Sequence, residues 1–459
     1  MSKQKPRPAA AKIDWKALSL VHPDAAGIDI GGHEHWVAIA PERDEQPVRC
    51  FGCFTAEIEQ MAEWLLACGI RSVAMQSTGV YWLPVFEILE QHGLEVWLVN
   101  ARHTKNLPGR KSDIAECQWI LKLHTFGLLN KSFQPGDAVR TMRTPWRHRA
   151  GLVAQAASAI QRMQKTLVET NIQLSNVLSD LSGVGGMAIL SAILAGERDP
   201  KTLAALADPQ VKASRKGIAE SLHGNWRPEL LFVLDQEMAA YRECQAKIRA
   251  CDERLRKHLQ SMESRLDPDE KPLGPRPKGK RARGNAPKFD LRAELYRLTG
   301  VDWSQVDGID VRVAQTVIAE VGTSLDAFPT EKHFAKWLGL APCNDTSGGK
   351  VLNRRTPKVV SRAKVAFRNA ANSLRHSRSY LGAQFRRFGT RMGDPKALTI
   401  MARKLACLFY RLLTQGRQYV DKGAAYYEAR YREQQVRSVL KRAAQLGLTV
   451  LLPPAGQSA

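Results

Sequence analysis

Residues 25–54 read AAGIDIGGHEHWVAIAPERDEQPVRCFGCF, and the fold turns on them. AAGIDI (25–30) is apolar and stops at a Gly-Gly pair. HWVAIA (35–40) alternates, and PVRCFGCF (47–54) follows a polar turn. Short runs of this pattern, separated by short turns, predict three strands in an antiparallel meander. Beyond them the hydrophobic period lengthens. TAEIEQMAEWLLACG (55–69) has helical spacing and closes on Gly69. RSVAMQ (71–76) is again a strand, YWLPVFEILEQHG (81–93) a helix ending on Gly93, and LEVWLVN (94–100) a further strand. A basic loop, RHTKNLPGRK (102–111), leads to a longer helix, SDIAECQWILKLHTFGLL (112–129).

The predicted order is βββαβαβα, a meander followed by crossovers between parallel strands. That is the layout of an RNase H-like, RuvC-like domain, a mixed sheet flanked by helices. Its expected span is 23–138, after a basic N-terminus at 1–22. Residues 139–263 carry apolar repeats with charged outer faces and predict an elongated helical or coiled-coil region. Residues 264–290 are dominated by Pro, Gly and positive charge and predict a basic linker. Residues 291–415 predict a mainly helical, strongly basic C-terminal domain. Within it, GVDWSQVDGIDVRVAQTVIAEVG (300–322) sets a DGID turn between short helices. A helix-hairpin-helix unit has this form and offers backbone N–H groups to phosphates. Residues 416–459 predict a C-terminal helix and tail. The expected fold class is therefore α/β followed by all-α.

Charge narrows the class of partner. The 459 residues hold 68 Lys and Arg against 45 Asp and Glu, a formal net charge of +23. Such an excess points to a polyanion, nucleic acid first. Residues 1–20 lack the apolar core of a secretion signal, and no apolar run is long enough to span a bilayer. The expected location is cytoplasmic, with the 8 cysteines as reduced thiols. Cys50 and Cys53 form one CxxC with no second pair at zinc spacing, and they read as structural.

An RNase H-like fold places acidic residues on its first strand, its fourth strand and a later helix. Their oxygens hold two Mg²⁺ ions about 3.5–4 Å apart. Asp29 sits in the middle of the apolar first strand, where a buried carboxylate needs a reason. Asp113 and Glu116, spaced i, i+3, share one face at the start of the last helix. Alone they read as carboxylates favoured by the helix dipole. With Asp29 in the first slot, all three read as metal ligands. At the end of the fourth strand stands Gln76, a neutral amide. Its oxygen can ligate Mg²⁺ but brings no charge and cannot act as a general base. Ser347, in NDTSGGK, is a second centre, a hydroxyl before two glycines with cations close in sequence; Thr346 is the alternative hydroxyl. Expected phosphate contacts are Arg110 and Lys111 beside the carboxylates, Trp146, Arg147 and Arg149 in RTPWRHR, and Lys350, Arg354, Arg355 and Lys358 around Ser347.

GIDIGG, VAMQSTGVYW, VNARHTKNLPGRKSDIAECQW, GERDP and FAKWLGLAPCNDTSGGK together resemble the DEDD-type insertion-sequence transposases related to the Piv DNA invertase. The resemblance runs in order along nearly the whole chain. It implies a RuvC-like domain, a coiled-coil spacer and a transposase domain with a catalytic serine. Asp29 matches the first acidic position and Asp113 the third. Glu116 stands where the fourth Asp is usual, and Gln76 where a Glu is usual. Ser347 matches the serine that attacks DNA. The resemblance also implies a bridge RNA as guide, DNA ends and target as substrates, and a homo-oligomer, dimer to tetramer, in a prokaryotic nucleoid. In that assembly the RuvC-like site of one protomer works with the serine of another. Two alternatives are a RuvC-like endonuclease with no covalent intermediate and a recombinase impaired by Gln76. A basic nucleic-acid scaffold is the non-enzymatic reading.

Overall fold

The computed structural model describes residues 20–449 except 78, 102–111, 268, 278–283, 354 and 417–422, and gives the backbone alone at Asp345 and Asn353. The chain divides between Gln134 and Pro135 into two compact units.

The first unit is a five-stranded mixed sheet in the order β3-β2-β1-β4-β5. β1 (Ala25–Ile30), β2 (Glu34–Ile39) and β3 (Val48–Gly52) form the expected antiparallel meander. β4 (Ser72–Gln76) adds parallel to β1, and β5 (Glu95–Val99) parallel to β4. Helices α1 (Thr55–Ala67) and α2 (Trp82–Gln91) supply the crossovers. Strand alternation sorts the side chains. Ile28, Ile30, Val37, Val73 and Met75 join Met61, Leu65, Val85 and Leu89 in the larger core. The intervening positions face α3 (Asp113–Thr125), where Ala74 and Val99 meet Ile120 and Leu123.

α3 lies directly on β1. A Cβ at Gly27 would stand 2.2 Å from the Leu121 amide nitrogen and 2.4 Å from the Cys117 carbonyl oxygen. Only glycine lets the helix come this close. Ser112 caps α3, its Oγ accepting from the Ala115 N–H at 3.3 Å. The helix stops at Thr125 rather than continuing to 129, because Gly127 adopts a positive φ of 68° and turns the chain.

The second unit is almost wholly helical. α4 (Asp137–Glu169) and α8 (Pro228–Ser261) pack along each other. Arg149 pairs with Asp252, and Arg162 with Glu237, so the two run antiparallel. Short helices α5 (Val184–Leu194), α6 (Pro200–Ala205) and α7 (Arg215–Ser221) close one end around Leu167, Leu190, Leu203 and Leu234. The remainder comprises α9 (Leu291–Thr299), α10 (Val311–Val321), α11 (Glu331–Trp337), a hairpin of β6 (Asp345–Ser347) and β7 (Lys350–Asn353), α12 (Arg362–Ser373), α13 (Tyr380–Met392), α14 (Asp394–Gln415) and α15 (Gly423–Gln445). Trp303, Phe334, Phe367, Phe385 and Phe409 fill its core, with Trp303 stacked on Phe409 at 4.3 Å.

The described parts of 264–290 are not a loose tether. The Gly274 carbonyl accepts from Arg292 at 2.7 Å, the Asn285 carbonyl from Arg149 at 3.0 Å, and the Lys288 N–H donates to Asp252 at 3.1 Å. Polar composition hid this, because the bonds are made by backbone groups. No helix among the described residues is long and apolar enough to cross a membrane.

Candidate active site

Ile28 pairs with Met75 across the parallel β1–β4 ladder. The next residue on each strand is Asp29 and Gln76. They therefore stand side by side at the C-terminal ends of adjacent strands, and alternation turns both toward the α3 face. Parallel strands end in such crevices in many α/β enzymes. Asp29 is half-buried, and Gln76 is 4% exposed. The Ser77 N–H donates to the Val99 carbonyl at 3.2 Å, which ties the strand end to β5.

The first turn of α3 brings Asp113, exposed, and Glu116, half-buried. Cys117, buried one turn beyond Asp113, reports the local field. Burial pushes its thiol pKa up to about 12, and the charges of Asp29 and Asp113 add to the rise. The Cys50 thiol on β3 is likewise raised, by burial first, then Glu34 and Asp113. Carboxylates from β1 and α3 thus share one electronegative edge. Their oxygens are of the hard type that Mg²⁺ prefers. Among the described residues, however, no three His, Cys, Asp or Glu side chains lie close enough to form a metal-ligating group. The donors are right in kind and share an edge, but they are not gathered into a finished ligand set.

Two turns frame this edge. The Gly31 N–H donates to the Glu34 carbonyl at 3.0 Å, closing the β1–β2 connection. A Cβ at Gly32 would stand 3.5 Å from the Tyr81 ring, so the turn after β4 lies against it. Val80 and Tyr81 are exposed there. Arg110 and Lys111 lie outside the described residues.

Ser347 ends β6 in the second unit and is exposed. The segment that holds Ser347 is a two-stranded hairpin. Gly348 and Gly349, with φ of 54° and 76°, form its two-residue turn, and Ser347 faces Lys350 across it. A Cβ on either glycine would meet nothing within 4 Å, so the approach to Ser347 is open. Lys350, Arg355 and Lys358 are exposed; Arg354 lies outside the described residues.

The RTPWRHR segment departs from expectation. Arg149 is buried, its guanidinium bonded to Asp252 at 2.5 Å, and is not available to phosphate. Trp146 is also buried and donates to Thr316 Oγ at 3.2 Å. Arg147 forks onto both oxygens of Glu320 at 3.0 and 2.6 Å while part of its side chain stays in solvent. Arg143 caps the end of α10, donating to the Ala319 and Glu320 carbonyls. This segment joins α4 to α10. In the DGID turn, Gly308 packs on α12, where a Cβ would lie 2.9 Å from the Ala370 carbonyl, and the Asp310 carboxylate accepts from the Val313 N–H.

Sequence reading missed the Ser72–His124 pair, which is buried on the same sheet. Ser72 Oγ lies 2.6 Å from His124 Nε2, and His22 stacks on the His124 ring at 4.4 Å. Burial pushes the His124 pKa down to about 4. Its only signal was a His on the buried face of α3.

The chain is strongly basic, with one carboxylate at the end of β1 and two at the start of α3, and the comparisons give the class: a DNA transposase. Residues 26–172 match the DEDD transposase model of the IS110 type, described as Transposase; residues 303–386 match a second, described as Transposase IS116/IS110/IS902 family. Domains of the IS110 family of transposases are thus found in both halves of the chain. The first match takes in Asp29, Gln76, Asp113 and Glu116, and the second Ser347. No curated protein gives a significant match. The DEDD type of domain implies a divalent metal ion.

Proposed function

We propose that this transposase cuts and rejoins DNA with two centres, a Mg²⁺-dependent RuvC-like edge and the Ser347 hydroxyl. The observation that carries the reading is the placement of Asp29 beside Gln76, on the face that α3 approaches with Asp113 and Glu116. A bound Mg²⁺ would supply charge neutralisation at a phosphate and a lowered pKa for an oxygen nucleophile. Asp29, Asp113 and Glu116 would hold it with charge. Gln76 offers only a neutral carbonyl oxygen, so it orients and does not take a proton.

At the hairpin, Ser347 Oγ attacks a phosphorus. One Oγ–P bond forms and one bridging P–O bond breaks. The serine proton is lost to solvent, and the departing DNA oxygen gains one. One ester replaces another, so a second DNA hydroxyl can reverse the step and free the serine. Lys350, across the turn, is placed to offset charge on the phosphorane. In this reading two or more copies assemble, so that the carboxylate edge of one serves the serine of another. The high positive charge supports a bridge RNA as guide alongside the DNA.

The test is trapping of a covalent protein–DNA adduct. The parent protein with Mg²⁺, its flanking non-coding RNA and element-end DNA is expected to give an adduct that Ser347→Ala abolishes. Cleavage that persists in the alanine protein with no adduct in the parent would leave a hydrolytic RuvC-like nuclease instead.

A further inference from the structure

A cleft of about 1240 Å³ opens in the second unit between α11, α13, α14 and α15, with Arg355 and Thr356 on its rim. Its charge is one-sided. Arg355, Lys396, Arg403, Lys404, Arg411 and Arg430 line it against a single carboxylate, Glu331. That carboxylate is already held by the Arg411 guanidinium, which forks onto both of its oxygens. The floor is apolar, formed by Leu340, Leu381, Ile400 and Leu408, and Tyr380 and Tyr426 stand at one side with ring centroids 6.3 Å apart. Tyr426 lines the cleft and is 40% exposed.

We propose that this cleft takes an unpaired nucleotide of a single DNA strand. Two features select that ligand. An excess of cations over apolar walls suits a group that is anionic at one end and planar and apolar at the other, which is a nucleotide. A buried greasy peptide would leave the cations desolvated and unmatched. The base lies over the floor beside Tyr426, and its phosphates meet Lys396, Arg403 and Arg430. DNA is the strand concerned because the rim is continuous with the Ser347 hairpin. β7 runs from Lys350 to Asn353, and Arg355 follows two residues later. A strand held here presents its next phosphates along the same segment. The assignment rests on the proposed role of Ser347 only for the choice of DNA.

The experiment measures affinity of the full-length protein for fluorescent single-stranded DNA, the same sequence as RNA, and the duplex, across a range of salt. Variants are Tyr426→Ala, Arg403→Gln and Lys396→Gln, with Tyr426→Phe to retain the ring. Tyr426→Ala is expected to weaken single-stranded DNA about tenfold and the duplex far less, while Tyr426→Phe keeps the affinity. Each lost cation should lower the slope of log K on log salt by about 0.7. Ser347→Ala, included throughout, should bind as the parent does, which separates this site from the serine chemistry. Unchanged affinity in all variants, or equal loss for duplex and single strand, overturns the nucleotide pocket. Loss confined to RNA overturns the assignment to DNA. Circular dichroism and unfolding midpoints equal to the parent's establish that the variants fold.

Discussion

Gln76→Glu tests whether the ends of β1 and β4 form an ion site. The side chain is 4% exposed and neighbours Asp29 on the adjacent strand, about 5 Å away by normal strand spacing. Two charges at that distance repel by roughly 3 kcal/mol at an effective dielectric of 20. Asp29 is only half-buried, so about 2 kcal/mol is a fairer expectation for the metal-free protein. The new carboxyl would titrate above the ordinary Glu value. The sign follows: the variant matches the parent at pH 4 and loses stability as pH rises toward 7, where the unfolded chain ionises freely and the folded one does not. A divalent ion reverses the loss. At a hundredfold excess over its Kd, Mg²⁺ returns about 2.7 kcal/mol. The assay is urea unfolding of parent and Q76E at pH 4 and 7, in EDTA and in millimolar Mg²⁺. If Q76E is as stable as the parent in EDTA at pH 7, and Mg²⁺ shifts neither midpoint, the carboxylate edge is not a metal site. Strand transfer gained only by Q76E would instead mark the parent as impaired at this amide.

Further outcomes are expected elsewhere. Asp252→Asn strands the buried Arg149 guanidinium and should cost about 3–5 kcal/mol by urea unfolding, whereas Arg149→Met with Asp252→Leu should recover most of it. Gly27→Ala forces a Cβ into the α3 backbone, so hydrogen exchange of α3 amides should speed up strongly and the unfolding midpoint fall. His124, held neutral with a pKa near 4, contributes stability above pH 6.5 that is lost as pH falls toward 4. His124→Asn should flatten the unfolding free energy over that window, a difference of up to about 3 kcal/mol.

The sheet was legible because strand and helix differ in hydrophobic period, and residues 25–99 keep each period cleanly. Asp29 was legible for the opposite reason, as a charge interrupting an apolar strand. What sequence could not reveal were roles that depend on a distant partner. RTPWRHR has the letters of a phosphate site, yet Arg149 finds Asp252, 103 residues away, and becomes core. Gly27 carries no local mark that α3 crosses it. The strands of the Ser347 hairpin, of three and four residues, are too short to show alternation, although Gly-Gly is a strong turn signal. The cleft beside α14 gathers residues from 331 to 430, far beyond the reach of any motif.

The antiparallel pair of α4 and α8 has a mechanical consequence. Helices of 33 and 34 residues extend about 50 Å. Joined side by side by a buried ion pair and an apolar seam, they resist bending as neither would alone. Such a strut is a gauge. Fifty ångströms equals about fifteen base pairs of B-form DNA at 3.4 Å per step. Its length is also quantised, because side chains keep facing the seam only when whole heptads are added or removed. One heptad from each helix changes the reach by about 10 Å, or three base pairs. The distance between its two ends then changes only by such jumps, never by the rise of a single residue.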